Sequence, residues 1–434
     1  MSNQRTGIAH LTFNLREYKM INRKVLLTAL ICIFAVSPKA DADCEPNWVS
    51  SFSGTDGLDG GAVSALAVFD GYLVAGGTFD EAGGEPAAGI AKWDGESWSE
   101  LGGGITDGFA VLAMAVHDDG SGPALYVAGR FEELGGQPVS RHIAKWDGDS
   151  WSSLGGGVTA GNFVWALTEF DDKLIVGGEF WEVDDEAVGR IAQWDGQEWS
   201  TLEDGVSGGP SPSIFAVEAF DDGSGEALYV GGRFWHAGEV EWVRDIAKWD
   251  GEQWSKLDEG MNGPVHSLSL FDDGSGMAIY AGGGFTSDAF QQDPMNRIAR
   301  WGGESWSAVG LGGTDDGMQF SGSEDPSVNV LTIFDDGSGE ALYAAGVFDE
   351  VDGDPANGIA QWDGDSWVNL GEGVDLGGDD QSVNALAAFD GGPGPADSLY
   401  VGGFFEAAGG ASASNLARWQ ACESPVIYHD RFEQ

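Results

Sequence analysis

The chain has 434 residues, with 71 acidic against 20 basic side chains, a formal net charge of −51, and 70 glycines. Such a field repels phosphate backbones and anionic lipid surfaces, which argues against nucleic acid and the membrane surface as partners. With three cysteines and six histidines, there is little material for a zinc centre.

Taken in chain order, residues 1–42 read as a secretory signal peptide. Arg23-Lys24 precedes the apolar run from Val25 to Val36, and Ala40-Asp-Ala42 supplies a small-x-small cleavage site. The run is well short of the ~20 residues that cross a bilayer. Translation starts at Met1 or at Met20. The expectation is cleavage after Ala42 and export to the periplasm or medium, with no membrane insertion afterwards. Cys32 leaves with this segment, so the mature chain keeps Cys44 and Cys422.

Residues 43–422 are one unit repeated. The stretch Ile90-Ala-Lys-Trp93-Asp-Gly-Glu-Ser-Trp98 returns from Ile143, Ile191, Ile246, Ile298 and Ile359, and begins again at Leu416-Ala-Arg-Trp419. A full copy is an apolar strand, an Asp-Gly turn (Gly302-Gly303 in the copy from Ile298) and a second strand opening on Trp, hence a tight hairpin. Its leading Trp residues are spaced by 53, 48, 55, 52, 61 and 57 residues. Two further strand-like runs precede each hairpin, as in Val63–Phe69 and Tyr72–Gly77, so each repeat holds four short strands, a to d. No stretch shows a sustained helical period. Four strands every ~50 residues mark propeller blades. The fold predicted is all-β: a seven-bladed β-propeller with four strands per blade, residues about 44–422.

The seventh copy stops before its second Trp. That missing strand d is found at the other end of the chain, as Asn47-Trp48-Val49-Ser50-Ser51-Phe52. The expectation is that this N-terminal strand closes the last blade. An open ring would leave two bare sheet edges. Pairing Trp48 with Trp419 puts Cys44 and Cys422 in one composite turn, where a disulfide is predicted. Residues 423–434 leave the repeat and form a C-terminal tail.

The Gly-Gly stops at Gly76-Gly77, Gly177-Gly178, Gly231-Gly232, Gly282-Gly283 and Gly402-Gly403, each followed by a strand pair with spaced aromatics, resemble kelch-type repeats and galactose-oxidase-like propellers. Leu-Tyr-Val-Gly-Gly-x-Phe and Ile-Ala-x-Trp-Asp-Gly are also similar to repeats of fungal cortical cell-polarity markers and of secreted bacterial proteins. The resemblance covers about residues 47–421 and implies the fold. Trp replaces the kelch tyrosine, so the likeness is kelch-like rather than strict. The copper-radical oxidases of this shape need a Tyr–Cys crosslink and several His and Tyr ligands, which this chain does not supply.

Little else points to catalysis. The mature histidines His117, His142, His236, His266 and His429 show no ligand spacing, and there is no Gly-x-Ser-x-Gly elbow. Carboxylate pairs for glycoside chemistry are the one open route, so a secreted glycan-active enzyme is the alternative reading. The recurring Asp-Asp-Gly-Ser-Gly of residues 118–122, 221–225, 272–276 and 335–339 lies between strands a and b. It is first a turn former. Without an alternating Asp-x-Asp ladder it makes a weak Ca²⁺ loop, and no other cofactor or metal is expected.

Subtracting the repeat isolates the candidate site. Fourteen of the 18 Trp residues belong to the hairpins, which leaves Trp165, Trp181, Trp235 and Trp242 in repeats three and four. Trp165 takes the second position of strand a, and the other three lie in b–c connections. The b–c and d–a connections of a blade share one rim, so these residues are expected to form an exposed patch there, extended by Phe215, His266 and Phe290. The function read from this is a monomeric, secreted binding or scaffold module that holds an extracellular glycan or a protein segment on that face.

Overall fold

The Asp-Gly turn fixes five of the units, with Gly302-Gly303 in its place in the fifth sheet. In the first copy Trp93 and Trp98 stand opposite each other, and Gly95 takes a φ of +100°. The Asp94 carboxylate accepts the amides of Glu96 and Ser97 at 2.8 and 2.7 Å. Aspartate satisfies the free amides and glycine accepts the positive φ, which is why the pair recurs. Seven such Trp pairs occur, with ring centroids 4.9–5.4 Å apart, in edge-on or tilted contact.

The structure is a computed structural model that describes residues 46–49, 52, 57–290, 293–310, 317–319, 325–377, 381–391 and 398–421. The expected signal peptide, Cys44, Cys422 and the tail lie outside the described residues. Among the described residues there is no helix. The architecture is all-β and propeller-like: seven antiparallel sheets, each with strands in the order a–b–c–d. The first consists of Val63–Phe69, Tyr72–Gly77, Ile90–Trp93 and Trp98–Glu100. In the fourth they are Ser213–Asp221, Glu226–Arg233, Ile246–Trp249 and Trp254–Lys256. The seventh has Ser382–Phe389, Ser398–Phe404 and Leu416–Gln420, with Asn47–Val49 in the d place and Trp48 opposite Trp419.

The core lies between sheets. Strand b is buried along nearly its whole length, as its uninterrupted apolar reading requires. Seven hydrophobic clusters each join residues of two neighbouring sheets. One joins the seventh to the first, with Phe389 and Tyr400 against Phe79 and Trp93, and Phe52 packed among them. The Trp, Phe, Leu and Ile positions of the repeat are in this core, joined by the strand-b tyrosines, valines and alanines. Gly402 shows what the Gly-Gly stop is for: a Cβ there would meet the Val63 side chain at 2.6 Å. Only glycine lets sheet seven approach sheet one this closely.

Hydrogen bonds also run from sheet to sheet. The indole N–H of Trp151, Trp199, Trp254 and Trp306 donates to a carbonyl just after strand d of the preceding sheet, at 2.8–3.2 Å. Trp48 does the same to Leu370 at 2.7 Å, so the N-terminal strand makes the contact that its place demands. On one rim the d–a connection pairs with the b–c hairpin in small extra sheets, such as Val206–Ser207 with His236–Ala237 and Val240–Glu241.

Candidate functional site

The b–c connection of the fourth sheet is held from beneath by Asp245. Its carboxylate accepts the Phe234 amide at 2.9 Å, and its own amide donates to the Phe234 carbonyl at 2.8 Å. Burial raises this carboxyl to about 6, against the Phe234 bond and the charges of Arg233 and Arg244. Trp242, Arg244 and Asp245 all take left-handed φ values, +61°, +53° and +68°. Three non-glycine residues so placed within four positions store strain that the surrounding loop must hold.

That strained loop displays aromatic rings. Trp235 and Trp242 stack with centroids 5.7 Å apart and planes 29° off parallel, and His236 meets Trp242 edge-on at 5.4 Å. The Arg244 guanidinium sits over the Trp242 ring at 5.5 Å and over the Phe290 ring of the fifth sheet at 5.7 Å. Exposure reaches 39% for Trp235, 48% for Trp242 and 54% for Phe290. Large exposed rings in one patch are unusual on a surface, and Trp and Arg are the types that dominate binding hot spots.

The other expected residues go elsewhere. Trp181 is 47% exposed on the third sheet but makes no ring contact among the described residues. Trp165, Phe215 and His266 are half-buried and line an axial cavity of about 220 Å³, together with Ser64, Leu112 and Asn384 from the same strand-a position. The expectation of one patch over repeats three and four is therefore corrected. The rim cluster joins sheets four and five, and the strand-a residues form a second group. Strand a of all seven sheets lines this cavity, so its second residue faces inward instead of towards the rim.

In the channel, Phe163 stacks on Trp165 at 5.0 Å, Trp165 meets Phe215 edge-on at 6.1 Å, and Phe215 meets His266 at 5.5 Å. Arg130 and Arg233 lie over Phe163 and Phe215. The Trp165 indole N–H is buried with no acceptor among the described residues. Burial, then the charge of Arg233, lowers the His266 pKa to about 4 despite a hydrogen bond with Asn329, so its ring is neutral at pH 7. The sequence pointed to three residues of this group but not to Phe163, Arg130 and Arg233, nor to Arg244 of the rim cluster. Phe163 is legible as the residue before strand-a Val164; the arginines carry no such signal.

A larger open cleft, about 760 Å³, lies between the sixth and seventh sheets and is lined by Asp349, Glu372 and Asp375 without an aromatic side chain. The described residues contain no group of three or more His, Cys, Asp or Glu side chains placed to hold a metal. No helix there is long and apolar enough to cross a membrane.

No family model and no curated protein matches this chain. Solved structures do resemble it. The computationally designed Ika8 protein matches at 15% identity and TM-score 0.41, over 84% of this chain and 97% of that one. The GH74 enzyme of Niastella koreensis matches at 14% identity and TM-score 0.38, over 84% of this chain and 61% of the enzyme. The extracellular domain assigned to a hybrid two-component system of B. thetaiotaomicron matches at 12% and 0.33, over 79% of this chain and 50% of that domain.

Proposed function

We propose that the chain is an exported, seven-bladed, kelch-like β-propeller, closed by its N-terminal strand, that acts as a binding module. Its ligand, a glycan or a protein segment, is held on the rim formed by the b–c and d–a connections. The observation that carries this reading is the exposed Trp235–Trp242 stack with Arg244 set over Trp242 and Phe290. The repeat already gives each sheet what it needs for packing, so rings outside that pattern and open to solvent are free for a partner. Flat aromatic faces stack on sugar rings or on peptide side chains, and a guanidinium adds directed hydrogen bonds to hydroxyl, carbonyl or carboxylate groups. The closed ring is supported by the pairing of Asn47–Val49 with Leu416–Gln420 and by the cluster that joins the seventh sheet to the first.

A glycan-active enzyme is the second reading, and the acidic cleft between the sixth and seventh sheets is where its carboxylates would stand. One experiment separates the two. The purified mature protein is applied to glycan and peptide arrays, and each hit is then incubated with the protein and examined for cleavage. A binding module gives hits that survive intact and are lost in Trp242→Ala. Cleaved hits that persist in that variant would reverse the choice.

A further inference from the structure

The Asp-Asp-Gly-Ser-Gly turn does more than reverse the chain. In the second sheet Asp118 caps the turn, accepting the amides of Gly120 and Gly122, both at 2.9 Å. Asp119 faces inward. Its Oδ1 accepts the Ser121 hydroxyl, while Oδ2 takes the Tyr126 hydroxyl at 2.7 Å and pairs with Lys145 Nζ at 2.6 Å. Lys145 stands opposite Tyr126 on strand c and also reaches Ser121 Oγ at 2.6 Å. The fourth sheet repeats this with Asp222, Tyr229 and Lys248, at 2.7 Å for both contacts. The fifth repeats it with Asp273, Tyr280 and Arg300, the ion pair at 3.0 Å. The three carboxylates are only 9%, 10% and 15% exposed. A carboxylate so buried needs a cation, since an uncompensated buried charge is among the most costly features a fold can carry.

The sixth sheet keeps the acid and loses the cation. Its turn reads Phe334-Asp-Asp-Gly-Ser-Gly339, and Asp336 makes the same internal bonds, to the Ser338 amide at 3.2 Å and hydroxyl at 2.7 Å. Strand c here reads Ile359-Ala-Gln-Trp362, which puts Gln361 opposite Tyr343, where the other sheets have Lys145, Lys248 and Arg300. Asp336 is 3% exposed and Gln361 6%. The Tyr343 hydroxyl is buried and makes only poorly aligned contacts, with Asp336 and Trp419. It lies beside the Asp336 carboxylate and the Trp419 side chain, and burial, then the charge and proximity of Asp336, raise its pKa while Trp419 opposes the shift. Gln361 makes no side-chain hydrogen bond among the described residues. The third sheet is the counter-example. It also has a glutamine on strand c, Gln193, but its turn is the short Asp171-Asp172 without the Gly-Ser-Gly, and Gln193 bonds to Ser200.

We infer that the sixth sheet binds a monovalent cation, K⁺ or NH₄⁺, between Asp336, Ser338, Tyr343 and Gln361. The donor set is one carboxylate and three neutral oxygens, matched to a single positive charge. The contacts of 2.6–2.8 Å made by Lys145 and Lys248 set the ion's size at that of an ammonium group. A net charge of −51 raises the local concentration of any such cation.

The test is thermal unfolding of the mature protein in KCl, NH₄Cl and tetramethylammonium chloride at one ionic strength, so that general screening is held constant. The wild type should melt higher in KCl and NH₄Cl than in the tetramethylammonium salt, by roughly 2 °C at saturating cation. Gln361→Lys supplies the cation covalently. It should raise the midpoint in tetramethylammonium chloride and abolish the difference between salts. Asp336→Asn removes the charge and should abolish the same difference, whatever its own stability. Equal midpoints in all three salts for the wild type would overturn the site, as would a difference that persists undiminished in both variants.

Discussion

Single residues divide into those that pack and those that present. Trp235 and Trp242 stand outside the repeat's own pattern and are exposed, so Trp242→Ala should weaken binding to an array-identified ligand by about 2 kcal/mol and leave the thermal midpoint within about a degree. Two half-buried titratable groups make opposite predictions. Burial pushes the Glu218 carboxyl up to about 7. Its stabilising protonated form is fully present below the unfolded pKa near 4 and is lost as pH rises through 7. Glu218→Gln should therefore gain stability over wild type at pH 8 and gain none near pH 4, as read from urea unfolding at the two pH values. His266 is the reverse case, with its pKa depressed to about 4 by burial and Arg233. Its contribution is present above pH 6.5 and lost as pH falls towards 4, and His266→Asn should flatten that acid limb. Asparagine is the residue at the same strand position in the next two sheets, as Asn329 and Asn384.

At the scale of elements, the c–d hairpin was fully legible because its chemistry is local. Trp-Asp-Gly-x-x-Trp dictates the turn, the register and the facing rings without help from the rest of the chain. The a–b turn was half legible. Asp118 and its counterparts are the turn formers that the sequence suggests, but the second Asp acts across the sheet. Its partner on strand c lies 26 or 27 residues further on, in register only once the strands pair. Lys248→Met should leave Asp222 buried and uncompensated, at a cost of about 3 kcal/mol in unfolding free energy at pH 7. Burial acts against the charge of Asp222, and the bonds from Lys248, Ser224 and Tyr229 outweigh it, holding the carboxyl well below the usual range. That stability is present above the unfolded pKa near 4 and is lost as pH falls below it, so the variant's deficit should shrink in acid. The rim aromatics were found by subtraction, but their grouping was not. Which sheet's loop leans towards which neighbour is set by the left-handed kinks at Trp242, Arg244 and Asp245, and no sequence period announces those.

At the scale of the molecule, the repeat count and the split seventh copy made the seven sheets and the pairing of Asn47–Val49 with Leu416–Gln420 legible, since a strand lacking its hairpin partner must find one. Trp48 is the clearest handle on closure. It pairs with Trp419 and donates to Leu370 of the sixth repeat. Removing residues 43–52, or the single change Trp48→Ala at about 3 kcal/mol, should lower the midpoint of the whole chain in one cooperative transition rather than melt one sheet alone. Differential scanning calorimetry reads this directly: an unchanged midpoint after truncation would mean that the ring does not depend on its N-terminal strand. A chain of charge −51 also repels itself more when compact. Its midpoint should rise between low salt and ~1 M NaCl, where screening shortens to about 3 Å.

The central claim is that the rim cluster binds a partner while the repeat holds the fold. Isothermal titration of an array-identified ligand into wild type, Trp242→Ala and Arg244→Ala, with the thermal midpoint of each recorded in the same buffer, tests both halves together. Affinities should fall by about 10- to 100-fold in each variant with midpoints unchanged. Undiminished affinity in both variants would contradict it.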